Sequence, residues 1–548
     1  MPGAIQEMIL RIRARFSPFH PPLLHVAVAT STILLILLAY LDDLGRNPYG
    51  FFCDEAEIAV RARQLLDGNP AVDRFSFFYH HFDAICGSVT IVATAPFIWL
   101  FGLNEFAVRF TSVAFMLATF VVLWLTFRLL KCSHPWLPVL IYALTPLTLH
   151  ISRINFGHAP SIFLIALGYY LYLRSQSASN LPLAVAGGAV IGLSAYGYPG
   201  FYAATAIFVA LVIGCEIIAE GFNRRQLQVP VMFGLAAFIM YLPIIQEYRT
   251  NPAFLARFNA KDPTGEGLFT FARLESMIHN FPKYYDFAFL FETGDTSAIV
   301  RHSVHGAGLL SLPVLPLIVI GTLTIAFSRN TVEKRAFSPF IALLVFAPVP
   351  DLLTTQTDQQ PYTFSLFTAS LLVPFVCAYG LETLHTFHQH LEHKAPVEDP
   401  PTPNPFVPIL RNISSAPFIT TIVMVFGLVF AFAIYPRYPD YSSGFWGWQA
   451  GPRDSIAYFL DHQDEYDEFY LQGEFNTPDP FLPFYIHDEE VLKRAHIGDQ
   501  YEYRPGVRQL FVVSSQNYNL NIDPSLWNVV TTITYPDDTI AFYLITHK

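Results

Sequence analysis

Apolar runs long enough to cross a bilayer recur along the chain from Leu23 to Tyr435, and after that point they give way to short alternating segments. A hydrocarbon core of about 30 Å takes roughly 20 apolar residues as a helix. On that measure the pattern predicts eleven spans, at 23–41, 106–129, 136–151, 160–173, 181–197, 201–219, 229–247, 307–327, 336–349, 362–384 and 412–435. The apolar stretch from Gly87 to Gly102 is shorter and reads as a helix lying along the interface. Beyond Arg437, alternation of period two predicts strands at 468–471, 509–514, 529–534 and 540–545, with a helix at 454–462. The predicted fold class is mainly α: a polytopic transmembrane helix bundle of about eleven spans with interfacial helices, followed by a small C-terminal α/β domain.

Composition agrees with a bilayer partner: 53% of the 548 residues are hydrophobic and only 14% charged, which excludes a water-soluble globule. The net charge of -11 is misleading as an average, because Arg437 to Lys548 alone holds 17 acidic against 7 basic residues. The membrane region is therefore nearly neutral, and no basic face suits nucleic acid. Arg11, Arg13, Arg15, Arg128, Lys131, Arg174, Arg224, Arg225, Arg329, Lys334, Arg335, Lys394 and Arg411 all fall on one side of the eleven-span map. By the positive-inside rule that side is the cytoplasm. The expected protein is thus an integral, multi-pass protein of the plasma (inner) membrane with a cytoplasmic N-terminus.

Its expected domains are a cytoplasmic tail (1–22), a transmembrane domain (23–435) with external loops 42–105 and 248–306, a cytoplasmic Pro/His-rich linker (385–411) and an extracytoplasmic acidic α/β domain (436–548). The first apolar run is too long for a signal-peptide core and lacks a small-residue cleavage site, so it reads as a retained span. Five cysteines give neither metal spacing nor a disulfide framework; Cys53 and Cys86 share the first loop, where two free thiols are the default and pairing the alternative. His385, His388, His390 and His393 read as a helix end, with metal binding the alternative. Phe445-Trp446-Gly447-Trp448 is expected to seat the last domain on the bilayer surface.

The candidate chemistry follows the first span. In Phe51-Phe52-Cys53-Asp54-Glu55-Ala56-Glu57 and the residues up to Leu66, Ile58, Ala62, Leu65 and Leu66 share one helical face and Glu57, Arg61 and Gln64 another. That is an amphipathic helix with acids at its N-terminus. On residue pattern alone a capping box explains the acids, with Asp54 as N-cap and Glu57 as the returning acid.

An Asp-Glu pair after the first span, an amphipathic helix, and then Phe101-Gly102-Leu103-Asn104-Glu105-Phe106-Ala107-Val108-Arg109 opening the next span resemble the GT-C glycosyltransferases. The resemblance is to the phospholipid carrier-dependent members, the bacterial relatives of protein O-mannosyltransferases and of the lipid A aminoarabinose transferase. Ser152-Arg153-Ile154-Asn155-Phe156, Leu193 to Tyr198, and Phe289-Leu290-Phe291-Glu292-Thr293-Gly294-Asp295 with Arg301-His302 are similar to further elements of that family. The likeness runs from about Leu23 to Leu381.

The resemblance implies transfer of a hexose or pentose from a polyprenyl-phosphate donor, with inversion, to a protein, glycolipid or polysaccharide on the extracytoplasmic side. It implies Asp54 as general base and Glu55 as its orienting partner or that of the acceptor. It implies Arg153, Arg109 and Arg301, with His80 and His81, as ligands of the donor phosphate, and Asn155, Asp295 and His302 as further cleft residues. Two stretches depart from the family: His80-His81-Phe82-Asp83 lacks the Pro that follows a basic residue in relatives, and Gln360-Pro361-Tyr362-Thr363-Phe364-Ser365 lacks an Arg. No cofactor is required; a divalent cation is the minor alternative, since the first loop lacks the Asp-x-Asp of metal-using relatives. The competing readings are a non-catalytic scaffold of the same architecture and a lipid or glycan transporter. The latter would need ionisable groups at mid-span or symmetric broken helices.

Overall fold

The computed structural model describes residues 21–69, 72, 76–81, 84–221, 224–251, 271–328, 335–354, 361–393 and 406–548. Several residues named above, Arg11, Arg13, Arg15, Arg329, Lys334 and Lys394, lie outside the described residues, as do the side chains of His80, His81, Cys86, Arg224 and Arg225. The first helix, α1 (Pro21–Leu41), belongs to a unit ending at Asp42 and coincides with the first expected span. Residues 43–548 form the second unit.

That second unit begins with α2 (Cys53–Asp67), a hairpin of β1 (Phe78–His81) and β2 (Ala84–Gly87), and α3 (Val89–Phe101). At 13 residues α3 is too short to cross a bilayer, as its sequence predicts. Then comes α4 (Glu105–Leu129), started by the Asn104 side chain, which accepts the Ala107 N–H at 2.9 Å and satisfies one orphan donor of the first turn. The expected span at 136–151 is instead two seven-residue helices, α5 (Leu137–Ala143) and α6 (Pro146–Ser152). Pro146 explains the break: it fits the first turn of a new helix and cannot continue the old one.

The bundle continues through α7 (His158–Ala178), α8 (Leu181–Leu193), α9 (Gly200–Glu220) and α10 (Arg224–Thr250). Further along the chain come α11 (Phe271–Asn280), α12 (Phe287–Phe291), α13 (Leu315–Phe327), α14 (Ser338–Phe346), α15 (Val349–Thr354), α16 (Leu372–His393) and α17 (Ala416–Val429). Among the described residues five helical stretches, 105–129, 200–219, 227–250, 367–391 and 416–437, are long and apolar enough to cross a membrane, and five shorter apolar helices accompany them. The protein is thus an integral membrane protein, and several of the eleven expected spans fall on shorter or broken helices. Close packing rests on backbone contact where side chains are absent: a Cβ on Gly321 of α13 would strike the Val376 carbonyl of α16, and one on Gly380 the Leu317 carbonyl.

The C-terminal α/β region holds α18 (Pro452–Asp461), β3 (Glu468–Leu471), α19 (Phe481–Tyr485), β4 (Ala495–Ile497), β5 (Gln509–Ser514), β6 (Trp527–Thr534) and β7 (Ile540–His547). The strand order is β4-β3-β5-β7-β6, with β3 parallel to both neighbours and β7 antiparallel to both of its own. Central β5 is buried on both faces, so Leu510 to Val513 is a continuous apolar run. Tyr470, Phe511, Val513, Trp527 and Ile545 form one side of its core, while Phe459 of α18 stacks on Phe469 at 4.9 Å on the other. The outer strand β6 is mostly exposed.

Candidate functional site

The site is built around the N-terminus of α2. The capping residue is Phe52, in extended conformation and without a side-chain cap, so Asp54 is the second helical residue and not the N-cap. Glu57 pairs with Arg61 at 2.7 Å. The capping box expected from the sequence is absent, and what starts the helix is a wedge of two buried rings. Phe51 stacks on Phe484 at 4.6 Å, and Phe52 packs on Phe156 at 5.7 Å. Asp54 and Glu55 occupy the first turn, where the helix dipole favours anions.

These two neighbouring acids have different environments. Glu55 is fully buried: its carboxylate accepts from Arg109 Nη2 at 3.2 Å and Nε at 3.4 Å, and from the Asn155 backbone N–H at 3.0 Å. Asp54 is partly exposed and accepts the Cys53 thiol at 3.6 Å. Burial, with the Asp54 charge beside it, holds the Cys53 thiol well above its usual range, so it stays a protonated donor. The Cys53 thiol is free.

Two of the arginines expected at the phosphate are buried against the chain itself. Arg109 is fully buried and gives its remaining donors to the carbonyls of Pro48 at 2.8 Å, Gly50 at 2.7 Å and Leu44 at 3.5 Å, between the rings of Phe51 and Trp448. A guanidinium with all five N–H groups engaged has none to offer a phosphate. Arg153, 2% exposed, donates to the Asn47 carbonyl at 3.0 Å and lies against the Tyr435 ring. Both arginines hold the 44–50 segment that leads into α2. Asn155 is likewise a strut and not a cleft residue: fully buried, it donates through Nδ2 to Thr94 at 2.9 Å and to the Val108 carbonyl at 3.1 Å. The His80 and His81 side chains lie outside the described residues, so their expected role has no geometry to set against it.

Arg301 is the arginine of the three that keeps open surface. Its guanidinium sits 4.2 Å over the Phe52 ring, two residues before Asp54, and donates to the Trp446 carbonyl at 3.1 Å. Next to it His302 faces Asp295 at 3.8 Å. The Asp295 carboxylate also accepts Thr363 Oγ1 at 3.2 Å and the Ser297 N–H at 2.9 Å. Burial alone would raise the Asp295 pKa, but the hydrogen bond and charge of His302, with Ser297, outweigh it and hold the carboxyl below its usual range.

In the stretch that lacks an Arg, Tyr362 and Phe364, with Thr363 between them, form an aromatic wall with ring centroids 5.9 Å apart. Tyr362 meets the His302 ring edge-on at 4.2 Å, is hydrogen-bonded to Tyr198 and lies within electrostatic reach of both Arg301 and Asp54. Its backbone N–H donates to buried Asp351 at 2.7 Å, and Tyr284 donates to the same carboxylate oxygen. Asp351, Tyr284 and His158, whose ring lies 4.1 Å from that of Tyr198, escape sequence reasoning. A lone acid at the edge of an apolar run is the one signal Asp351 gives. Tyr284 also lines an apolar cavity of about 310 Å³ with Leu290, Leu309, Ile318, Leu344 and Leu372. One face of this tyrosine thus looks into an apolar space while its hydroxyl belongs to the polar wall. Among the described residues no group of three or more His, Cys, Asp or Glu stands close enough to hold a metal ion.

With this geometry in hand, the fold has known counterparts. The lipid A aminoarabinose transferase ArnT from Cupriavidus metallidurans superposes with a TM-score of 0.54 in its apo state and 0.55 in the form bound to undecaprenyl phosphate. Each match is at 14% identity and covers 95% of this chain and 98% of the other. The archaeal oligosaccharyltransferase AglB from Archaeoglobus fulgidus, in complex with an inhibitory peptide and a dolichol-phosphate, matches with a TM-score of 0.50 at 12% identity over 94% of this chain and 74% of its own. Both are GT-C glycosyltransferases, and the fold of this chain is the GT-C fold. No protein-family model matches the sequence, and no curated protein matches it.

Proposed function

We propose that this protein is a membrane glycosyltransferase that takes a sugar from a polyprenyl-phosphate donor and passes it, with inversion, to an acceptor on the extracytoplasmic side. One observation carries the reading: the partly open cation Arg301 sits over the ring of Phe52, two residues before the partly open carboxylate Asp54. Asp54 takes the proton of the acceptor hydroxyl or amine as that atom bonds the anomeric carbon. The bond from that carbon to the phosphate oxygen breaks, and the phosphate leaves with the electron pair. Arg301 offsets the charge gathering on it. A phosphate leaving group needs no acid, and the step runs without a metal or other cofactor.

The cavity behind Tyr284 supports a lipid donor, because an apolar chain seated there would end at the Tyr362–Arg301 wall. The lipid phosphates bound by ArnT and AglB support the same donor class. Glu55 serves by fixing α2 through Arg109, not by touching the acceptor. The acceptor is a protein, glycolipid or polysaccharide, and the sugar a hexose or pentose.

The test compares glycans and glycolipids by mass spectrometry in cells lacking the protein and in cells carrying Asp54→Asn. Removing a general base costs about 10²- to 10⁴-fold in rate, so Asp54→Asn is expected to accumulate in membranes like the wild type yet leave the same sugar missing. Normal glycans with Asp54→Asn would return that carboxylate to a structural role.

A further inference from the structure

Several contacts join the C-terminal α/β region to the site, the Phe51–Phe484 stack among them, and three of the routes converge on its two charged groups. The first reaches Asp54 through α4. Glu105, in the first turn of α4, accepts Arg453 Nη1 at 3.1 Å and the Tyr485 hydroxyl, both from the C-terminal region. Arg109 lies one turn further along the same helix and grips Glu55, the neighbour of Asp54. The second is Trp448, fully buried, whose ring covers the Arg109 guanidinium at 5.6 Å and whose carbonyl packs on Gly50, leaving no room there for a Cβ. The third holds Arg301. Trp448 Nε1 donates to the Tyr438 hydroxyl at 2.7 Å, that hydroxyl donates to the Val300 carbonyl at 3.0 Å, and Arg301 itself donates to the Trp446 carbonyl.

We propose that the C-terminal region is a positioning element for catalysis: Arg453 and Tyr485 through Glu105, and Trp446 and Trp448 directly, set the geometry between Asp54 and Arg301. This rests on the role given to Asp54 above. The expected seat of the Phe445–Trp448 segment on the bilayer is thereby revised. Trp446 and Phe445 are exposed, but Trp448 is core to the site.

The Arg453 side chain is 25% exposed at the rim of a cleft of about 690 Å³ lined by Arg46, Tyr49, Glu105, Asp454 and Tyr485. Substitution at that wet rim therefore opens no dry core. Arg453 touches none of the groups assigned to the reaction, so it acts only through Glu105 and its neighbours.

The experiment uses the full chain, as Arg453→Met, Arg453→Lys, Tyr485→Phe and Glu105→Gln, with the Glu105→Gln/Arg453→Met double variant and Asp54→Asn in parallel. Three quantities are read: restored glycan in cells lacking the protein, affinity of the purified protein for undecaprenyl phosphate, and melting temperature. Small misplacement of reacting groups is costly, so Arg453→Met is expected to lower product about tenfold or more. Undecaprenyl phosphate affinity stays at the wild-type value. The melting temperature falls because buried Glu105 loses its partner, and it recovers in the double variant while product does not. Arg453→Lys recovers most of the product, and Tyr485→Phe shows a smaller loss of the same kind. The double variant is no worse than Arg453→Met alone, as for residues acting through one contact.

Wild-type product from Arg453→Met overturns the proposal, as does a loss that merely follows melting temperature, or additive losses in the double variant. If Asp54→Asn retains activity, the catalytic reading fails and this proposal with it. If Asp54→Asn is inactive while Arg453→Met is normal, the positioning role alone fails.

Discussion

Glu55 and Asp54 are adjacent in the chain, and their substitutions are expected to separate cleanly. Glu55→Gln removes the charged partner of a fully buried arginine. Breaking a buried pair from one side costs about 3–5 kcal/mol. The expected outcome is a sharp fall in melting temperature and in folded yield, whereas Asp54→Asn keeps both. Asp295 supplies a pH test. Its folded-state pKa lies below its ordinary value, so its contribution is full above the unfolded pKa, about 3.9 for an aspartate, and is lost as pH falls through the lowered value. Melting temperature measured down through that range should fall more for the wild type than for Asp295→Asn. At this scale Asp54 was legible from its position after a span. Arg109 and Arg153 were legible as unusual arginines, but not in their roles. Their partners are backbone carbonyls of 44–50, and carbonyls leave no mark in a sequence.

Among the elements, those with strong periodicity were read well. Strands 468–471 and 509–514 occur with the predicted limits, and α4 starts one residue before its predicted span. β4 was missed because three residues, Ala495 to Ile497, hold too little alternation to register. The 136–151 run failed for the opposite reason: its hydropathy is continuous, while Pro146 divides the backbone. The α13–α16 contact gives a test at this level. Gly380→Val forces a side chain against the Leu317 carbonyl, and overpacking of this kind costs typically 1–3 kcal/mol. A lower melting temperature is expected, with weaker undecaprenyl phosphate binding beside it, since α13 and α16 also line the apolar cavity through Ile318 and Leu372.

For the whole molecule, the acidic C-terminal region was visible as a composition shift, but its grip on the site was not. The contacts of Arg453, Tyr485 and Trp448 span more than three hundred residues of chain, from Glu105 or Arg109 to their partners. No local pattern encodes such pairings. Another feature of this region bears on how copies meet. The outer strand β6 runs from Trp527 to Thr534 without a charged residue, so its free backbone groups invite a second strand. Asp523 precedes it, and Asp537 and Asp538 follow it. Two molecules approaching edge to edge in antiparallel register would set the acids at one end of each strand against those at the other end of its mate. Repulsion at both ends then keeps neighbouring proteins in a crowded membrane from zipping into ribbons.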